Sequence, residues 1–373
     1  MAEQPLEQRV QQWVRSDLLS QQAYPVPSSA GLIKLDAMEN PYAWPEAMRA
    51  AWASELEAVT LNRYPSAQAT ELKADLRAHF NLPAAYDLLL GNGSDEIIQL
   101  LMMTLSAPGR TIMTPEPGFV MFRIIAQSLH LNFAGLPLTT DFELDLPACL
   151  AAIAKHQPAV IFLAQPNNPT GNVWPESDLR AIIAAAPGVV VIDEAYTAFT
   201  DADFLSWLDD YEHLLVMRTL SKVGLAGLRL GLLMGRPEWL EQIDKVRLPY
   251  NINTLTQASA RFALQHFGEL ARQTDLIRAE RTRVMSALLK LPLVQVWPSE
   301  ANFILVRTAS GQARHCFDYC RDQGVLIKCV DGAHPLLHDA LRLTIGQPQE
   351  NDAMLAALAK ALAEVPSSSG TMR

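Results

Sequence analysis

Residues 189–196 read VVVIDEAY, an unbroken apolar run from Val189 to Ile192 that ends on Asp193. A strand with one face in water alternates apolar and polar residues. A continuous run of this length, entered through Pro187-Gly188, predicts a strand covered on both faces, as in a parallel sheet between helices. The pattern repeats outward from it. Apolar runs at 87–90, 111–114, 132–136, 159–164, 214–218 and 230–234 are separated by turn residues. Between most of them lie segments with apolar spacing of three and four, such as 96–105 and 176–186. Strand and helix in alternation predict an α/β fold with a mostly parallel sheet flanked by helices. Ligands in such sheets bind beyond the carboxyl ends of the strands, and Asp193 stands at one of those ends.

After about residue 250 the character changes. A helical stretch over 255–291 is followed by short apolar runs at 294–297, 302–307, 324–329 and 341–345 and by a closing helix over 351–364. The expected organisation is an N-terminal arm (1–40), a large domain (41–255), a smaller C-terminal α/β domain (256–365) and a disordered tail (366–373). With 373 residues, two domains are the natural prior. A net charge of −10 argues against a nucleic-acid partner. The longest apolar stretch, 181–192, is twelve residues and is broken by proline and glycine. A membrane span needs about 20, so none is expected. The N-terminus lacks the apolar core of a signal peptide. Cys149, Cys316, Cys320 and Cys329 are irregularly spaced, which suits buried core thiols better than a zinc site. These features predict a cytoplasmic protein without a metal.

Chemistry concentrates at the strand ends. Residues 218–231 read RTLSKVGLAGLRLG and place Lys222 directly after an apolar run. A lysine there is ordinarily a solvated charge; the functional alternative is an amine held near neutral pKa and able to form a Schiff base. Asp193 is costly in an apolar strand end unless it meets a cation or caps a helix. Residues 165–171, QPNNPTG, follow another apolar run and put Asn168 in a proline-braced turn. Residues 91–96, GNGSDE, lead from a strand into a helix. Glycine before a helix N-terminus makes either a phosphate cradle or a plain capped start.

Each signal is weak alone, but their order is not. GNGSDE, PEPGF (115–119), NNPTG, DEAY, SK, GLRLG and LRLTIG (341–346) follow one another along the chain. In this order the sequence resembles the fold-type I pyridoxal-phosphate-dependent aminotransferases of class II, and among them the histidinol-phosphate aminotransferases most closely. The likeness runs from LDAMENPY at residue 35 to LRLTIG at 341. The resemblance implies pyridoxal 5′-phosphate as cofactor. It also implies that Lys222 forms the Schiff base and then acts as general base and acid, and that Asp193 pairs with the pyridine nitrogen. By the same resemblance Asn168 and Tyr196 bond the ring's phenolate oxygen and Phe119 stacks on the ring. Gly93, Ser94, Asp95, Thr219, Ser221 and Arg229 would surround the phosphate. Tyr64, in NRYP, would reach the partner's phosphate across a homodimer interface. Arg342 would bind the substrate's anionic group, with Tyr24, Asn40 and Lys328 on the substrate side.

The sequence departs from the family twice. Lys328, in GVLIK, stands where relatives often carry arginine, keeping the charge but losing the fork. The segment between Lys222 and Arg229 is one residue shorter than in some relatives. The implied reaction is amino transfer between L-histidinol phosphate and 2-oxoglutarate, giving imidazole-acetol phosphate and L-glutamate in histidine biosynthesis. The alternatives are a threonine-phosphate decarboxylase, an aromatic amino-acid aminotransferase and, outside catalysis, an effector-binding module.

Overall fold

The structure is a computed structural model that describes residues 5–364 apart from residues 20, 21, 24, 106 and 108. Its centre is a seven-stranded sheet. The strands are β1 (Asp87–Asn92), β2 (Thr111–Glu116), β3 (Asn132–Pro137), β4 (Val160–Ala164), β5 (Val189–Asp193), β6 (Leu214–Thr219) and β7 (Leu230–Gly235). They lie in the order β1-β7-β6-β5-β4-β2-β3. All adjacent pairs are parallel except those made by β7, which runs antiparallel to both β1 and β6. Every residue of β4, β5, β6 and β7 is buried, as unbroken apolar runs require.

Period-two alternation divides these strands between two cores. Ile161, Leu163, Val190, Ile192, Leu214 and Val216 point to one face, packed with helices Thr70–His79, Leu146–His156, Glu176–Ala185 and Thr254–Gln265. Val160, Phe162, Val189, Val191, Leu215 and Met217 point to the other, packed with Ser94–Leu105, Val120–Ser128 and Pro237–Asp244. Burying both faces is the main stabilising term for such a sheet.

A second core forms around an antiparallel four-stranded sheet. Its strands are β8 (Gln295–Val296), β9 (Phe303–Arg307), β10 (Lys328–Cys329) and β11 (Ala340–Thr344), in the order β10-β11-β9-β8. Helices Ala313–Asp322 and Pro348–Ala363 cover it.

Three boundaries move. The stretch expected as one helix over 255–291 is two, Thr254–Gln265 and Phe267–Leu288, meeting at His266. Beyond the expected division at residue 256, Ala260, Ala263 and Leu270 still pack in the core of the seven-stranded sheet, and the long second helix adds Ile277, Val284 and Leu288 to the other core. The segment expected as an arm to residue 40 is partly built in. Ile33–Lys34 pairs with Val325–Leu326, and Leu35 and Met38 sit in the small core. Residues 366–373 lie outside the described residues. No helix among the described residues is long and apolar enough to cross a membrane.

Candidate active site

The parallel strands deliver their carboxyl ends to one edge of the sheet, and the predicted residues meet there. Asp193 ends β5, and its side chain accepts only a backbone hydrogen bond, from Ala195 N at 3.0 Å. Burial pushes its pKa up to about 7. A buried carboxyl held so poorly solvated is an acceptor awaiting a cation. Lys222 lies in a wide helical turn, Ser221–Leu225, entered directly from β6. Its amine donates to Ala37 O at 3.3 Å and stands 5.8 Å from the centre of the Tyr196 ring. Burial, with Arg342 and Arg229 nearby, lowers its pKa to about 8. That keeps a useful neutral fraction near physiological pH.

Tyr196 is buried between the domains, its ring edge-on to Phe303 at 5.2 Å. Its hydroxyl receives a hydrogen bond from Asn168 Nδ2 at 3.1 Å, and burial raises its pKa, so the hydroxyl stays protonated. Asn168 in turn accepts from Arg342 Nη1 at 2.8 Å, while Arg342 Nη2 donates to Asp36 O at 2.7 Å. One relay therefore joins the small-domain arginine to the large-domain strand ends.

Around the start of helix Ser94–Leu105 lies a cradle. The first N–H groups of a helix have no intrahelical acceptor and favour an anion. Gly93 has φ +81°, and a Cβ there would come 2.5 Å from the Arg229 guanidinium, so only glycine lets the arginine close over the helix start. Arg229 Nη2 donates to Asp95 at 3.0 Å. Thr219 Oγ1 bonds Leu230 O at 3.0 Å and lies 2.9 Å from Ser221 Oγ, which places the serine hydroxyl at the cradle rim. The shortened segment after Lys222 resolves into the wide turn, a tight turn at Ala226–Leu228, and Arg229 in left-handed conformation at φ 51°. Together these groups fit pyridoxal phosphate: helix N–H groups and Arg229 for its phosphate, Asp193 for its ring nitrogen, Lys222 for its carbonyl carbon, and Tyr196 with Asn168 for its ring oxygen.

A cleft of about 530 Å³ opens beside this centre between the domains. Phe119, Asn168, Lys328 and Arg342 line it. Phe119 stands edge-on to Phe122 at 5.5 Å, which fixes its ring. Arg342 is 8 % exposed and lies directly opposite Lys328 in the β10–β11 pairing. Opposite residues of an antiparallel pair share a face, so two cations stand side by side on one wall.

Asn40 does not line this cleft. Its Nδ2 donates to Val223 O and Gln273 Oε1, and its Oδ1 accepts from Tyr42 N, so the expected substrate contact gives way to a brace for the turn that carries Lys222. Tyr64 is 81 % exposed and stacks on Tyr250 at 4.6 Å, on a different surface from the cleft. Tyr24 lies outside the described residues. Sequence reading missed the Ala37 and Asp36 carbonyls and the side chains of Glu116, Arg123 and His334, all on the cleft wall. The glutamate of PEPGF was the one signal available for these.

Strand-end lysine, strand-end aspartate and helix-start cradle suit a pyridoxal-phosphate enzyme, and a family description, "Aminotransferase class I and II", matches residues 30–358. The chain belongs to that family. It is 52 % identical over 94 % of its length to "Histidinol-phosphate aminotransferase 2" of Nitrosococcus oceani, covering 97 % of that relative. It is 49 % identical over 94 % of its length to "Histidinol-phosphate aminotransferase" of Chromobacterium violaceum, covering 98 % of it. Among solved structures, histidinol-phosphate aminotransferase of Sinorhizobium meliloti in complex with pyridoxal-5′-phosphate shares the fold, with TM-score 0.84 and 24 % identity over 94 % of this chain and 98 % of that one.

Proposed function

We propose that this protein uses pyridoxal phosphate to transfer an amino group between L-histidinol phosphate and 2-oxoglutarate, forming imidazole-acetol phosphate and L-glutamate in histidine biosynthesis. The observation that carries the reading is the paired cation wall. Buried Arg342 and its cross-strand neighbour Lys328 face a cleft next to Lys222. A guanidinium fork binds a phosphate or a carboxylate with similar geometry, so one wall serves histidinol phosphate in one half-reaction and glutamate in the other. Relatives about half identical over nearly the whole chain carry the histidinol-phosphate name, which supports the same choice.

When bound, the cofactor supplies a carbonyl for the substrate amine and a ring that accepts the electrons released at the substrate's Cα. The chain's residues do the rest. Asp193, buried and bonded to Ala195 N, would hold a proton on the ring nitrogen. Lys222, lowered to about 8, would take a proton from Cα and return it at the cofactor's carbonyl carbon, on the other side of the transferred nitrogen. Tyr196 and Asn168 hold the ring oxygen, and the Arg342–Asn168 bond couples arrival of the substrate anion to that contact. The cradle at Ser94, Ser221 and Arg229 anchors the phosphate so that these groups keep their distances.

The exposed Tyr64–Tyr250 stack, beside Leu61 and Leu255, supports a homodimer in which Tyr64 meets the partner's site. The solved L-threonine-O-3-phosphate decarboxylase of Porphyromonas gingivalis shares the fold at 19 % identity, and no observation in the cleft favours loss of a carboxylate. Incubation with histidinol phosphate and 2-oxoglutarate should yield glutamate at a rate matching loss of the donor amine. Release of CO₂ from phosphothreonine without glutamate formation would overturn the assignment.

A further inference from the structure

The cleft holds one polar constellation that the reaction above leaves unused. Glu116 ends β2, three residues before Phe119, and its carboxylate lines the cleft. It is fixed there by three neighbours. Arg123 holds both carboxylate oxygens through Nη2 and adds a bond from Nε at 3.2 Å. The Arg123 guanidinium itself rests on the Phe133 ring, 4.3 Å from its centre. On the adjacent strand, Gly135 makes the room: a Cβ at that position would come 2.6 Å from Glu116 Oε2. Bare backbone beneath, an arginine clamp beside and an aromatic support under the clamp together orient this carboxylate.

An ionised carboxylate offers about four acceptor sites, and the clamp leaves capacity on the cleft side. The walls around it are apolar rings and aliphatic groups, among them Phe119, Phe133, Val120 and Leu337. His334 also lines the cleft, and its Nδ1 accepts from Leu336 N at 3.1 Å. Its other nitrogen therefore carries the proton in the neutral ring and adds a donor rather than a competing acceptor. The cleft's other carboxylate, Asp36, is paired with Lys34 at 3.1 Å and is 8 % exposed. Arg342 and Lys328 thus set adjacent cations on one wall, while the lining cations Arg123 and Lys34 are paired with Glu116 and Asp36. Glu116 sets a fixed carboxylate acceptor among flat apolar walls. A substrate matching both has an anion at one end and, at the other, a flat ring bearing an N–H.

We propose that Glu116, held by Arg123 over Gly135, is the residue that selects the imidazole ring of the substrate by accepting its N–H. This deepens the function proposed above and rests on it. The carboxylate discriminates in both directions. It gains a charge-assisted bond from an imidazole, whereas a phenyl ring of similar shape covers its remaining acceptor capacity and offers no donor in return, Arg123 keeping its own bonds. Lys222, Asp193 and Arg342 treat the two substrates alike, so the ring preference resides in Glu116.

The test compares histidinol phosphate with 2-amino-3-phenylpropyl phosphate, the same molecule with phenyl in place of imidazole, each with 2-oxoglutarate and holoenzyme. Wild type should prefer the imidazole substrate. Glu116→Gln, which keeps the shape and one bond to Arg123, should lower the ratio of the two kcat/KM values by about tenfold to a hundredfold, the range lost with one charge-assisted bond. Glu116→Leu should lower it further by raising activity toward the phenyl substrate. Retained visible absorbance of the bound cofactor shows in each case that the variant is folded. An unchanged ratio in both variants overturns the role of Glu116 while leaving the enzyme's assignment intact. No turnover of histidinol phosphate by wild type overturns the assignment itself, and the inference with it.

Discussion

Replacing Asp193 with asparagine separates what this side chain does for the cofactor from what it costs the fold. Burial raises its pKa from 3.8 to about 7. The folded, cofactor-free protein therefore holds the proton more tightly than the unfolded chain does. The stabilisation from the protonated carboxyl is complete below pH 3.8 and is lost as pH rises toward 7. Over that window the loss amounts to about 4 kcal/mol at 1.36 kcal/mol per pH unit. Asparagine has the same shape, can accept the same bond from Ala195 N and does not titrate. Relative to wild type, cofactor-free Asp193→Asn should gain more at pH 8 than at pH 5, by on the order of 3 kcal/mol. Urea unfolding of both apoproteins at the two pH values, followed by tryptophan fluorescence, reads this difference. The same variant should bind pyridoxal phosphate more weakly and slow Cα proton removal by orders of magnitude. A stability difference that does not change between pH 5 and pH 8, with turnover intact, would refute the buried, cation-seeking carboxylate.

Two further outcomes follow from the same geometry. Mixing Tyr64→Phe with Lys222→Ala subunits should restore activity above the sum of the separate variants, because a mixed dimer rebuilds one complete site; no gain on subunit exchange would show that each site is self-contained. Glu194→Ala should destabilise the protein by about 3–5 kcal/mol, the usual cost of breaking a buried pair. Its carboxylate is fully buried and bonds Arg218 Nε at 2.6 Å and Phe204 N at 2.9 Å; a thermal midpoint within a degree of wild type would contradict that.

The large domain was legible because its signals are local. Each apolar run became a strand, and the residues following those runs stand at strand ends by construction. Lys222, Asp193 and Asn168 needed only the parallel order of β4, β5 and β6 to converge. What escaped depends on distant pairing. Nothing local marks β7 as antiparallel, since a buried strand reads the same in either direction. The break at His266 is marked only by Gly268, one poor helix former in an otherwise helical stretch. Asn40 carries an amide suited to a substrate, yet Val223 and Gln273, far along the chain, claim it. The Ala37 and Asp36 carbonyls have no sequence signature, because any residue supplies a carbonyl. Glu116 and Arg123 lie seven residues apart, but their meaning comes from Gly135 and Phe133 on the neighbouring strand.

The central claim is that the amine of Lys222, buried at the sheet edge, is the one that captures the cofactor carbonyl. Incubating the protein with pyridoxal phosphate, reducing with borohydride and mapping the modified peptide by mass spectrometry tests it directly. The account predicts stoichiometric label on Lys222 in the peptide beginning at Thr219, with none after Lys222→Ala. Label on another lysine, such as Lys34 or Lys328 in the adjoining cleft, with Lys222 unmodified, would contradict it.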